Sequence, residues 1–96
     1  MQSMSAKDTT PLEIERSFLG TLRFETYTVP YANLAAWPFI RTRIHVGDTE
    51  YTYDRSYPIL GHSAVMFGAI ADLVDEGRQV LVAERGGRYY VYVHVA

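Results

Sequence analysis

Residues 79–95, QVLVAERGGRYYVYVHV, read as two strands turning at Gly86-Gly87, a dipeptide suited to a two-residue hairpin. Val80 and Val82 share a face with Tyr89, Val91, Val93 and Val95. Leu81, Ala83, Tyr90, Tyr92 and His94 share the other. Both faces are apolar or aromatic. Such a hairpin belongs in the middle of a sheet or under cover on both sides.

Upstream, Ser63 to Glu76 carries Met66, Phe67, Ile70, Leu73 and Val74 on one helical face. Ser63 can cap the helix and Gly77 can end it. Its other side holds Ala64, Gly68 and Ala71, then Asp72 and Asp75. Before it, Phe39 to Val46 alternates, Gly47-Asp48 signals a turn, and Thr49 to Arg55 alternates again. This register pairs Val46 with Thr49, His45 with Glu50, and Arg41 with Asp54. Ile44 then faces Tyr51, and Thr42 faces Tyr53, on one buried side.

The N-terminal third is more ambiguous. Leu22 to Val29 alternates as a strand that Pro30 should end. Thr10-Pro11-Leu12-Glu13 resembles a helix start, Ile14, Phe18 and Leu22 recur at helical spacing, and Gly20 could end the helix. Leu12, Ile14 and Arg16 also alternate, so residues 11–19 fit a strand as well, with the helix preferred. Tyr31 to Trp37, between two prolines, has room for two helical turns at most.

The expectation is an α+β fold: an antiparallel β-sheet from two hairpins (39–55 and 79–95) plus an extra strand (22–29), packed on one main helix (63–76). A ferredoxin-like order is compatible, but its first helix would be too short. At 96 residues the chain is one domain over 10–96, behind a disordered leader, 1–9. It buries about 65% of its unfolded surface, enough for one core.

With no cysteine there are no disulfides, thiolate metal sites or cysteine nucleophiles. The N-terminus lacks an apolar signal region and no stretch reads as a membrane span, so a cytoplasmic location is expected. Net charge is −2, and the nine cations are eight arginines and Lys7. A groove that tracks phosphates needs a cation surplus.

Gly61-His62-Ser63-Ala64-Val65 resembles the nucleophile elbow of α/β-hydrolases. Val65 replaces its second glycine, and 96 residues cannot hold that fold. Helix capping by Ser63 is preferred. His45, His62 and His94 have no ligand spacing, so no metal or cofactor is expected. Asp72, Asp75 and Glu76 share a helix edge and read as a solvated face. Arg88, Tyr90 and Tyr92 alternate in a way that resembles the basic–aromatic pattern of the RNA-recognition motif. Tyr89 and Val91 stand where that motif has small residues.

The leading expectation is a non-enzymatic protein-interaction domain, homodimeric, with itself and a further protein as partners. Its interface candidates are Tyr90, Tyr92, His94, Ala64, Gly68 and Ala71. The alternative is a single-stranded nucleic-acid binder using Arg41, Arg43, Arg88, Tyr90 and Tyr92. A third class, a small-molecule-binding sheet or minor enzyme, would use His62 or His94.

Overall fold

The C-terminal hairpin lies at the centre of the sheet, with strands from earlier in the chain on both sides of it. The computed structural model describes residues 4–5, 9–17, 24–61 and 63–94. The order of elements is β1 (Met4–Ser5), β2 (Thr10–Ser17), β3 (Phe24–Asn33), β4 (Arg43–Val46), β5 (Thr49–Pro58), α1 (Ser63–Asp75), β6 (Val80–Arg85) and β7 (Arg88–His94). Across the sheet the strands run β1-β4-β5-β7-β6-β3-β2. This is an α+β architecture with one helix among the described residues.

The sheet is mixed, which corrects the expectation of an antiparallel one. β1 with β4 and β3 with β6 are parallel pairs; the other neighbours are antiparallel. The cause is α1. Its 13 residues rise about 20 Å, the length of a six-residue strand. It therefore returns the chain to the end of the sheet from which β5 set out, and β6 runs in the direction of β5. β3 runs the same way, so its pairing with β6 is parallel. Met4 and Ser5, inside the stretch expected as a leader, lie beside Ile44 and His45.

Residues 10–17 are a strand, not the expected helix. Leu12 and Ile14 pair with Val29 and Tyr27, and a two-residue period suits that role. Thr10-Pro11 is the start of an edge strand, where a missing N–H costs no ladder bond. Phe18, Gly20 and Leu22, part of the helical reading, lie outside the described residues. β3 also runs straight through Pro30, which does not end it. Pro30 stands opposite Pro11, and β3 meets β6 only from Tyr31 onward. Both rings thus occupy positions where no donor is called for. Tyr31 to Asn33 is strand rather than helix.

The 39–55 hairpin is shorter on its first side. β4 starts at Arg43, the Thr42 carbonyl still accepts from the Tyr53 N–H at 2.8 Å as the expected opposition of the two requires, and residues 34–41 leave the sheet as a strap. Ile44 opposes Tyr51, His45 opposes Glu50 and Val46 opposes Thr49, as the turn at Gly47-Asp48 requires. Arg41 and Asp54 are not partners. The register shifts between Tyr53 and Arg55, and Asp54 pairs with its neighbour Arg55 instead. The bulge reverses the faces beyond it. Tyr51 and Tyr53 look to one side of the sheet and Tyr57 to the other.

α1 ends one residue sooner than expected. The Gly77 N–H donates to the Val74 carbonyl at 2.9 Å and the Arg78 N–H to the Leu73 carbonyl at 3.1 Å. With Gly77 at φ 84°, this is a Schellman closure. Met66, Ile70 and Leu73 are buried against Ile14, Val29, Val80, Val82, Val91 and Val93. The opposite face of the sheet has its own apolar layer of Ala32, Leu34, Ile44, Tyr51, Leu81, Ala83 and Tyr92. The C-terminal hairpin is thus covered on both sides, with the expected residues on each; Val95 lies outside the described residues.

Because β3 pairs with β6 only over Tyr31–Asn33, its first part and β2 extend past that contact as a two-stranded ribbon. The ribbon's apolar side, Leu12, Ile14, Tyr27 and Val29, packs into the helix-side core. The Tyr27 hydroxyl also lies 3.1 Å from an Asp75 carboxylate oxygen at the end of α1.

Candidate functional site

The strap decides which tyrosines are accessible. After Asn33, whose side-chain oxygen accepts from the Ala35 N–H at 3.0 Å, the chain turns and crosses the sheet face away from α1. The Leu34 N–H donates to the Glu84 carbonyl at 2.9 Å, and the Trp37 N–H to the Leu34 carbonyl at 3.0 Å. Arg85 holds the middle. Its Nε donates to the Trp37 carbonyl at 2.9 Å and its Nη2 to the Pro38 carbonyl at 2.8 Å. Tyr92 holds the far end by donating its hydroxyl to the Arg41 carbonyl at 2.6 Å.

Tyr92 is therefore covered by its own chain, with 0% of its surface exposed. Burial, with Tyr53 and Tyr90 nearby, pushes its phenol up to about 12. Burial also pushes the Tyr51 phenol up. Trp37, Ile40 and Val46 pack half-buried around the same layer. This face, on which Tyr90 and Tyr92 were expected at an interface, is mostly closed within one chain.

What stays open is a rim beside the strap. Phe39 is 50% exposed and Tyr53 is 40% exposed, although Tyr53 was expected inside. The Arg41 guanidinium carbon sits 4.3 Å from the centre of the Phe39 ring, a cation–π contact. Tyr53 lies 6.0 Å from Tyr92, edge to face, and 6.2 Å from half-buried Tyr90. Phe39, Arg41, Tyr53 and Tyr90 thus line the margin of one face.

The other expected site residues scatter. His94 is half-buried; its ring lies 6.2 Å from Tyr51, and its Nδ1 is 2.7 Å from the Glu50 carbonyl. Ala64 is exposed, Gly68 is half-buried, and Ala71 is buried inside the monomer. The small-residue stripe therefore does not form one surface. Arg43, next to Ile44 on β4, points to the opposite face from Tyr90. Arg88 donates to the Ser56 hydroxyl at 3.0 Å. His62 lies outside the described residues, as does the Ser63 side chain, so the elbow-like segment has no described chemistry. Asp72, Asp75 and Glu76 are exposed.

Phe39, Tyr53 and Arg85 were missed by sequence reasoning. Phe39 reads as the first residue of a strand, and Tyr53 alternates as if it were core. Nothing local marks either the strap or the bulge that exposes them.

Among the described residues no group of His, Asp and Glu could hold a metal ion, and no helix is long and apolar enough to cross a membrane. A cleft of about 400 Å³ opens where β3 diverges from β6, with Thr28, Thr49, Tyr51, Arg78 and Gln79 among its lining residues. No family model, no characterised protein and no solved structure matches this chain.

Proposed function

We propose that this chain is a non-enzymatic protein-interaction domain that pairs with a second copy of itself through the rim of Phe39, Arg41, Tyr53 and Tyr90. The carrying observation is the exposure of Phe39 and Tyr53 beside a face that the strap otherwise closes. Exposed aromatic rings flanked by arginine are the side chains that dominate contact energy in interfaces. The rim favours a like partner because it holds both halves of a cation–π pair. Arg41 of one copy can exchange Phe39 of its own chain for a ring of the other across a two-fold axis.

Light scattering at micromolar concentration tests this. A dimer should persist at low and high salt, and Phe39→Ser with Tyr53→Ser should yield a folded monomer. Both side chains are half-open, so the substitutions spare the core. A wild-type monomer overturns the proposal.

The nucleic-acid reading has less to stand on. Tyr92 is sealed from any base and Arg43 lies on the far face. Oligonucleotide binding that falls steeply with salt and is lost in Phe39→Ser would replace the dimer with that reading.

A further inference from the structure

On the helix side of the sheet, a row of residues crosses three strands near one end. Glu84 on β6 stands opposite Tyr89 on β7, and Tyr89 stands opposite Tyr57 on β5. Directly opposed side chains on one face are about 5 Å apart at Cβ, so Glu84 and Tyr57 each stand beside Tyr89, with about 10 Å between their own strands. Tyr31 reaches in from β3 and donates its hydroxyl to the Glu84 Oε1 at 2.5 Å. The three tyrosines are half-buried, packed against the helix-side core together with Phe67.

Glu84 is half-buried as well, and among the described residues it pairs with no cation. The nearby arginines are engaged elsewhere. Arg85 holds the strap on the other face, and Arg88 binds Ser56. Arg55 is drawn to Asp54 and to the Tyr57 phenol. Burial pushes the Tyr31 phenol up, and its hydrogen bond to Glu84 and the Glu84 charge push it further, so the phenol stays a donor at neutral pH. Only one Glu84 oxygen has this partner.

We infer that Glu84, framed by Tyr31 and Tyr89, is a seat for an organic cation: the ammonium or guanidinium group of a lysine or arginine side chain, or of a free amine. The carboxylate supplies the charge, and the phenol rings supply negative faces toward a cation that has left most of its water. An inorganic cation is a poorer fit, because a single carboxylate beside phenol rings offers far fewer oxygens than the about six to eight that a calcium ion takes. The seat is on the opposite side of the sheet from the Phe39–Tyr53 rim and does not depend on it.

The test is a two-dimensional NMR titration of the full chain. The probes are N-acetyl-lysine methylamide, its arginine counterpart, tetramethylammonium, and the uncharged norleucine analogue. The expected result is saturable shifts at Tyr31, Glu84 and Tyr89 with the three cations and none with norleucine. Glu84→Gln keeps the shape and should weaken binding at least tenfold. Tyr31→Phe removes the hydroxyl from Glu84 but leaves the carboxylate and rings, so it should still bind.

A lysine-bearing peptide that binds more tightly than the free lysine analogue identifies a protein as the source of the cation. Equal affinity identifies a small amine. Absence of saturable shifts at these residues overturns the inference, as does unchanged binding in a folded Glu84→Gln variant. In either case the Tyr31–Glu84 bond serves only to tie β3 to β6.

Discussion

Replacing Tyr92 by phenylalanine removes one oxygen, and the effect of that change should invert with pH. At pH 8 the variant loses the hydrogen bond to the Arg41 carbonyl and should be less stable by about 1 kcal/mol. The phenol is fully buried and titrates at about 12 in the folded chain, against about 10 when unfolded. Above pH 10 the unfolded wild type releases this proton while the folded state still holds it. Stability from Tyr92 is therefore complete below pH 10 and is lost as pH rises toward 12. The loss is about 1 kcal/mol at pH 11 and about 2 kcal/mol at pH 12. Phenylalanine has no such term, so the two proteins should be equally stable near pH 11 and exchange rank above it. Tyr31 and Tyr51, which are also pushed up, titrate in both proteins and cancel in the comparison. Urea unfolding followed by the emission of Trp37, the chain's single tryptophan, reads the difference directly because Trp37 rides on the strap. A gap that stays constant from pH 8 to pH 11 would refute the sealed phenol.

Further substitutions separate the remaining parts of the fold. Arg85→Ala removes both bonds to the Trp37 and Pro38 carbonyls and should destabilise by about 1.5–3 kcal/mol per charged bond lost, with a red shift of Trp37 emission before global unfolding. Unshifted emission would mean that the strap holds without it. Ile70→Ala, at the centre of the helix contact, should cost about 2–5 kcal/mol by urea titration, enough to unfold a marginal chain. Gly77→Ala forces a side chain into φ 84° and should cost about 1 kcal/mol in thermal melting, with no change in the folded state's circular dichroism.

The legible parts of the sequence were those whose signals are local. The turn dipeptides at Gly47-Asp48 and Gly86-Gly87 set the registers around them, and the apolar arc of Met66, Ile70 and Leu73 located the helix face. Thr10 to Ser17 misled because a threonine, a proline and a glutamate are as acceptable at the start of an edge strand as at a helix cap. Only a partner distant in sequence settles the choice, and β3 supplies it. The alternation through Tyr51, Tyr53, Arg55 and Tyr57 looks unbroken, yet a single extra residue at the bulge sends Tyr57 to the helix side. That reversal is also what sets Tyr57 opposite Tyr89 on the helix side. The strap was invisible for a related reason: its anchors, Arg85 and Tyr92, are 48 and 51 positions from the carbonyls they bind at Trp37 and Arg41.

The parallel contact between β3 and β6 has a consequence for how the chain acquires its shape. Tyr31 and Val82 stand 51 positions apart, so the sheet cannot close until the last hairpin exists. At a translation speed of about 5–20 residues per second, the β2–β3 ribbon precedes that hairpin by about 3–12 s. During that interval Leu12, Ile14, Tyr27 and Val29 have neither helix nor sheet to cover them, and β3 offers a bare edge to any neighbouring strand. The charged Glu13 and Glu15 on β2 and the paired prolines Pro11 and Pro30 fall on this same ribbon. They make it a poor template for other chains while it waits, so the strand pair that is complete first carries its own guard against pairing with the wrong partner.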